Sequence, residues 1–317
     1  MKRKRIQRKV CIVCKSKQWK KLFVTYDRLF PIHGQFTVKR CVSCGLLSLF
    51  PFPTRNQLLR HYPTDKYYTN IKNNYTNIIF LIRKFLIIQS VSEGIFGKIL
   101  STCIPLPSIP KYKKDAKILD IGCGNGETLR VLHSLGWDTY GVDIDSTAVG
   151  IAKQNGMTHV EVGSYTYLRK YPDRFFDAIR IYHVIEHIDN PEACLRIAYK
   201  KLKVGGEVLM GTPTFDSIVG RIAQKYWFHL DTPRHLYIFN PNNLKTLLEK
   251  QGFKVEKIQF ASAGGTIGSL QYYISAQFGK NIDLITKPWL IILFYPLDWI
   301  IDRIGCGDLF IIRAYKR

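Results

Sequence analysis

Lys117-Ile118-Leu119-Asp120-Ile121-Gly122-Cys123-Gly124-Asn125-Gly126-Glu127 is the stretch that decides the fold. It opens as a short apolar run, the form of a buried strand. It then passes through three alternate glycines into a segment with Leu129, Leu132 and Leu135 at helical spacing, closed by Gly136. Glycines between a strand and a helix allow a tight turn and let a ligand come close to the backbone. The spacing is Gly-x-Gly-x-Gly, and Glu127 stands where a dinucleotide fingerprint has its last glycine, which disfavours hydride chemistry. Thr139 to Asp143 reads as a second strand. Asp143 ends it seventeen positions after Gly126, where a carboxylate can accept hydrogen bonds from both hydroxyls of a ribose.

Downstream, short apolar runs alternate with helical periodicity, the pattern of a parallel sheet covered by helices. Phe176 to Tyr182 reads as a strand, and Asn190-Pro191 opens a helix burying Leu195, Tyr199 and Leu202. Gly205-Gly206 turns the chain into a strand from Glu207 to Gly211. Asn240-Pro241 opens a helix with Leu244, Leu247 and Leu248, and Gly252 closes it before a strand from Phe253 to Phe260. Asp308 to Tyr315 is a final strand expected to pair antiparallel with that one. The expected fold is α/β, a Rossmann-like doubly wound sheet, mostly parallel with an antiparallel last strand, over residues 116–317. A small module (1–50) precedes it. A helical or irregular connection (51–115) joins the two, with its linker at Pro105, Pro107 and Pro110.

Leu119 to Gly126, Gly141 to Ile144 and Leu202 to Leu209 resemble successive motifs of class I S-adenosylmethionine-dependent methyltransferases, over roughly residues 115–260. The resemblance implies that the loop of Asp120, Gly122, Gly124 and Gly126 holds the methionine portion of the cofactor and that Asp143 holds its ribose. Ser164 and Tyr165 would flank the adenine.

Cys11-x-x-Cys14 and Cys41-x-x-Cys44 form two knuckles, each able to present two thiolates to one tetrahedral zinc, as in a zinc ribbon. Gly45 supplies the turn after the second knuckle. The stretch from Arg40 to Leu46, with Pro51 to Pro53 and Tyr62-Pro63, is similar to N-terminal modules found before methyltransferase domains acting on sugars or other metabolites.

His183-Val184-Ile185-Glu186-His187 matches a metalloprotease signature, but that motif needs a helix and this one follows a strand directly. At the carboxyl edge of the sheet these histidines would face a methyl acceptor; strand-end packing is the alternative. The segment resembles the Glu-x-x-Glu-His of ubiquinone-biosynthesis O-methyltransferases, which there binds a divalent cation; here His183 replaces the first Glu. His229 to Tyr237 is similar to the acceptor-facing segment of that group. The similarity makes His235 a candidate general base beside His183 and His187, and Arg234 an anchor for an anionic acceptor; capping of the next helix is the structural alternative.

A hydrophobic fraction of 46% and 13% aromatics describe a chain that folds around a core. The net charge is +23, with ten Lys or Arg and no acid between Lys2 and Lys21. Such a tail can draw nucleic acid or anionic lipid, though no aromatic-rich nucleic-acid motif accompanies it. Eight cysteines are too few for a disulfide scaffold. With no secretory leader pattern, a cytoplasmic location is expected. The apolar runs Pro288 to Ile301 and Ile78 to Ile88 read first as core, and second as peripheral contacts with a membrane surface. No pattern specifies an oligomeric state. The expected function is methyl transfer to a small or carrier-linked acceptor, such as the oxygen of a glycan precursor, with S-adenosylmethionine as cofactor and a structural zinc. RNA methylation and a non-catalytic scaffold are the alternatives.

Overall fold

The computed structural model describes residues 10–62 and 109–317, apart from 31, 112, 114 and 263, and also Phe85. Pro105, Pro107 and, apart from Phe85, the run from Ile78 to Ile88 lie outside the described residues.

The chain begins as an antiparallel meander of β1 (Trp19–Thr25), β2 (Phe36–Cys41) and β3 (Leu47–Phe50). Phe36, Val38, Leu47 and Leu49 are buried, and they pack on Phe215, Trp227 and Leu230 of the later chain. The short helix α1 (Arg55–Arg60) starts at a capping box, in which the Thr54 hydroxyl accepts from the Gln57 amide and the Gln57 side chain reaches back to the Thr54 amide.

The main sheet starts at β4 (Lys117–Ile121), whose Ile118, Leu119 and Ile121 are buried. Gly126, with φ 76°, caps α2 (Glu127–Ser134), which buries Leu129, Val131 and Leu132. Then come β5 (Asp138–Asp143), α3 (Ser146–Gln154) and β6 (His159–Val162). Strand β7 (Phe176–Tyr182) has the expected bounds, and α4 (Pro191–Lys201) opens on the Asn190 cap. Strand β8 (Leu202–Pro213) is longer than expected at both ends. Its pairing to β7 jumps from Phe176–Leu202 to Ala178–Glu207, so Gly205 and Gly206 lie in a bulge rather than in a turn outside the strand. After α5 (Ile218–Ala223) comes β9 (Tyr237–Ile238), then α6 (Pro241–Lys250) and β10 (Phe253–Phe260). The chain closes with α7 (Gly265–Phe278), α8 (Pro288–Arg303) and β11 (Leu309–Lys316).

The seven-stranded order is β10-β11-β8-β7-β4-β5-β6. The pairs among β4 to β8 are parallel, and β11 runs antiparallel to both β10 and β8. This is the expected doubly wound sheet. Beside it, β9 pairs antiparallel with β3, so a second, four-stranded sheet β1-β2-β3-β9 takes its last strand from the segment that follows Arg234.

The run from Pro288 to Ile301 corrects the first sequence reading. It forms most of α8, but Trp289, Ile292, Leu293, Leu297 and Ile300 are exposed instead of entering the core.

Candidate active site and cysteine cluster

The glycine loop is held to β5 by its own backbone: the Gly122 and Cys123 amides both donate to the Val142 carbonyl, at 2.7 and 3.2 Å. Gly122, Gly124 and Gly126 all have positive φ, the left-handed region that favours glycine. A Cβ at Gly122 would come within 2.2 Å of Val184, whereas one at Gly124 would meet no atom within 4 Å. At Gly124 the backbone is therefore open to close approach, the feature a cofactor cradle requires.

Asp143, at the end of β5, gathers the loop: its two carboxylate oxygens accept from the amides of Gly124 at 2.8 Å and Asp145 at 2.9 Å. Burial pushes its carboxyl above the ordinary value, against those amide bonds. The Gly163 amide donates to the Asp143 carbonyl at 2.8 Å, which sets Ser164 and Tyr165 beside the same acid. Ser164 caps the short 3-10 helix Tyr165–Lys170, and Tyr165 is half-buried against the core. Asp120 is different. It is buried beneath the loop, where Arg180 Nη1 of β7 donates to both its oxygens at 2.9 and 3.0 Å. Burial raises its carboxyl to about 6, against the pull of Arg180. Among the sequence-selected loop residues, Asp120 thus supports the loop from within the sheet.

The histidine segment leaves β7 next to this loop, with Val184 against Gly122. His183 has a φ of 55°, and Ile185–His187 form one turn of 3-10 helix, so the longer helix a metalloprotease motif needs is absent. Glu186, which sequence reading quoted but did not select, is the centre of the cluster. It is fully buried; Thr212 donates to Oε2 at 3.0 Å, while Oε1 has no hydrogen bond among the described residues. Around Oε1 stand His183 Nδ1 at 3.5 Å and His235 Nε2 at 3.9 Å. Burial alone would raise the Glu186 carboxyl, but His183, His187 and His235 outweigh it and hold it near about 2.

Two imidazoles have their tautomers set by backbone carbonyls. His235 Nδ1 donates to the His229 carbonyl at 2.8 Å, and His187 Nδ1 to the Arg234 carbonyl at 3.0 Å, with the Tyr62 hydroxyl 3.1 Å away. In the neutral ring this places the lone pair on Nε2, the nitrogen able to accept a proton or ligate an ion. Glu186, His187 and His235 present ligand atoms within 4.8 Å of one another, a set able to hold a divalent cation. Burial, and then His187, lowers His235 to about 4, so it is neutral at pH 7.

Arg234 does not reach toward a ligand, which corrects its reading as an acceptor anchor. Its side chain is fully buried, donating to Asp27 through Nη1 and Nη2 at 2.9 Å each, to Asp231 through Nε and Nη2, and to the His61 carbonyl at 2.9 Å. His61 Nδ1 in turn lies 2.7 Å from Asp27 Oδ2. The network ties the N-terminal sheet to the segment that carries His235.

The four cysteines converge as the spacing requires. Cys11 and Cys44 sulfurs lie 3.5 Å apart, those of Cys14 and Cys41 3.4 Å, and all four within 4.8 Å. Tetrahedral Zn–S bonds of about 2.3 Å put sulfurs ~3.8 Å apart, so the set fits one zinc. Each knuckle is followed by a left-handed residue, Lys15 with φ 62° and Gly45 with φ 79°. The Gly45 turn abuts Asn240, whose amide donates to the Cys44 carbonyl at 3.4 Å. The contact between the Cys11 and Cys44 sulfurs lowers one thiol of the pair, Cys11, below its ordinary value.

The methyltransferase-domain family matches residues 100–258. A ubiquinone biosynthesis O-methyltransferase of Proteus mirabilis is 26% identical over 149 residues, 45% of this chain and 50% of that protein. Phosphoethanolamine N-methyltransferase 3 of Arabidopsis thaliana is 33% identical over 104 residues, 31% of this chain and 21% of that one. The chain thus spans about half the length of the first relative and a smaller share of the second. Among solved structures, an S-adenosylmethionine-dependent methyltransferase from Archaeoglobus fulgidus is 27% identical, covering 65% of this chain and 88% of its own, with a TM-score of 0.46. Because the family match takes in half of the 317 residues and runs from the glycine loop into β10, this chain belongs to the methyltransferase-domain family.

Proposed function

We propose that this protein transfers a methyl group from S-adenosylmethionine to an oxygen of a small or carrier-linked acceptor, such as a glycan precursor. One observation carries the reading: the glycine loop and the Glu186–histidine cluster meet at one edge of the sheet, with Val184 packed on Gly122. The choice of oxygen is supported by the O-methyltransferase relative.

In this reading Gly122, Gly124 and Gly126 cradle the methionine portion and Asp143 the ribose, with Ser164 and Tyr165 along the adenine and Asp120 bracing the loop. The cofactor supplies an electrophilic methyl group, so the protein's tasks are alignment and removal of a proton. His235 is the first candidate base, because its ring is held by the His229 carbonyl with Nε2 turned toward Glu186; His187 and His183 are its neighbours. Residues 1–50 carry one structural zinc on Cys11, Cys14, Cys41 and Cys44 and shape the acceptor side of the 116–317 domain. Free cysteines so arranged fit a reducing compartment, so we assign the cytoplasm, with contact at a membrane surface peripheral.

Calorimetry with S-adenosylmethionine tests the cofactor site. Asp143→Ala is expected to weaken binding by about 1 to 3 kcal/mol, and equal affinity in the two proteins refutes the ribose assignment. A screen of extracts with labelled cofactor for mass gains of one methyl then identifies the acceptor class.

A further inference from the structure

Helix α8 is built inside out. Its inward face carries acids: the Thr266 hydroxyl donates to Asp298, and the Ser262 amide and hydroxyl donate to Asp302 at 2.8 and 2.6 Å. Its outward face is an apolar stripe. Trp289, Leu293, Leu297, Ile300 and Ile304 recur at three- or four-residue steps along one side, with Ile292 beside them. Trp289 is 63% exposed, Ile292 73% and Leu293 64%. Phe278, at the end of the neighbouring α7, is 70% exposed as well. Among the described residues nothing covers this helix face, and a monomer in water rarely leaves an apolar stripe of this length exposed.

Charge selects the occupant. Lys280 and Lys287 are exposed in the α7–α8 connection, and Arg221 and Lys225 are exposed at α5; the same connection offers one exposed acid, Asp283. Two copies meeting face to face across a two-fold axis would set these cations against themselves. An apolar stripe with a tryptophan at one end and a lysine rim instead matches a bilayer surface bearing anionic headgroups. At 16 residues, α8 is about 24 Å long. No described helix is long and apolar enough to cross a membrane, so α8 would lie along the surface.

We infer that α7, α8 and the connection between them dock this protein on an anionic lipid surface, the apolar stripe of α8 entering the headgroup boundary and Lys280 and Lys287 contacting the lipid phosphates. The docking face adjoins the acceptor segment. The Phe228 amide donates to Ser269 of α7 at 3.0 Å, and Gly265 lies where a Cβ would press on Asp308 and His229. The inference stands apart from the methyl-transfer reading, because lipid binding needs no turnover.

The test is co-sedimentation of the full chain with vesicles of phosphatidylcholine alone or mixed equally with phosphatidylglycerol. Wild type is expected to pellet with the mixed vesicles, and each lysine near the surface is worth about fivefold in affinity. The Ile292→Glu/Leu293→Glu variant is expected to lose binding by about tenfold or more, since two exposed apolar groups become charged. The Lys280→Glu/Lys287→Glu variant is expected to weaken the preference for the anionic lipid by about twentyfold or more, the rest being carried by the other basic residues of the chain. Unchanged thermal melting of both variants shows that the fold is intact. Trp289 emission is expected to shift to the blue on vesicles, a change absent in Trp289→Phe. Wild type that stays in the supernatant with both vesicle types overturns the inference. So does a dimer in sedimentation velocity that Ile292→Glu/Leu293→Glu converts to monomer, which would make a second copy the occupant.

Discussion

The two ends of the site are built in opposite ways. The glycine-loop end is made of residues near one another in sequence. Gly122 to Gly126 and Asp143 bond to each other largely through backbone amides, with the space at Gly124 left open. The histidine end is assembled from distant parts: Asp27 and His61 from the first sixty-odd residues, Glu186 after β7, and Asp231, Arg234 and His235 before β9. Backbone chemistry tolerates wide variation in side chains, whereas a buried network of charges depends on every member. The histidine end is therefore expected to fail by unfolding when altered, and the glycine-loop end by losing its ligand.

The largest effect is expected at the zinc. Structural zinc in small modules is worth on the order of 10 kcal/mol or more of folding free energy. Cys41→Ser is expected to release the metal and loosen the β1-β2-β3 meander, raising proteolytic cleavage there. Because β9 completes that sheet, His235 loses support as well. Elemental analysis of freshly reduced wild type is expected to find one zinc per chain, and a value near zero removes the metal from the cysteine cluster.

Next is Arg234→Met. It strands the buried carboxylate of Asp27 and the half-buried one of Asp231, and breaking a buried pair by removing one partner costs about 3 to 5 kcal/mol. Chemical denaturation is expected to show the loss. If Arg234→Met instead melts like wild type, the histidine end is not held by this network and the contrast between the two ends collapses.

The same contrast explains what the sequence made legible. Loop, strand, helix and Asp143 lie within one contiguous motif, so spacing alone places them. Arg234 and Asp27 are 207 positions apart, and nothing local marks their pairing, so Arg234 reads as a free cation. Strand β6, His159–Val162, is short and half polar, and α3 before it was not read either, although Asp145 caps it by accepting from Thr147 and Ala148. Cysteine spacing announced the knuckles, but not that a lysine would take the left-handed position after Cys14. For α8, composition gives an apolar run, and composition does not tell whether that run is buried or exposed.

His235 offers a subtler break. Its folded pKa of about 4 lies below the ordinary histidine value of 6.5, so folding favours the neutral ring. That contribution is complete above pH 6.5 and is lost as pH falls through about 4; a shift of this size corresponds to about 3 kcal/mol. Once the constant packing difference is subtracted, denaturation midpoints of wild type and His235→Phe are expected to coincide above pH 6.5 and to diverge most at about pH 4 and below, where wild type has lost the contribution of the neutral ring. For catalysis, the acid limb of the rate moves to about pH 4 as well, below an ordinary histidine limb. His235→Ala is expected to lower turnover by roughly a hundredfold with little change in cofactor affinity. Unaltered turnover gives the proton to another group or to solvent.

The smallest effect on stability is expected inside the glycine loop, where two neighbouring substitutions separate folding from binding. Gly122 and Gly124 share a positive φ, so alanine at either strains the backbone by about 1 kcal/mol. At Gly124 that strain is nearly the whole cost, because the added methyl meets no protein atom within 4 Å. At Gly122 the methyl strikes Val184 at 2.2 Å and pushes on the segment that carries Glu186 and His187. Gly124→Ala is therefore expected to melt within a few degrees of wild type yet bind S-adenosylmethionine poorly, since its methyl occupies the approach to the backbone. Gly122→Ala is expected to be the less stable of the two. A Gly124→Ala protein that binds the cofactor like wild type would move the cradle away from this loop. Equal melting of both variants would instead deny the contact through Val184 by which the two ends of the site are joined.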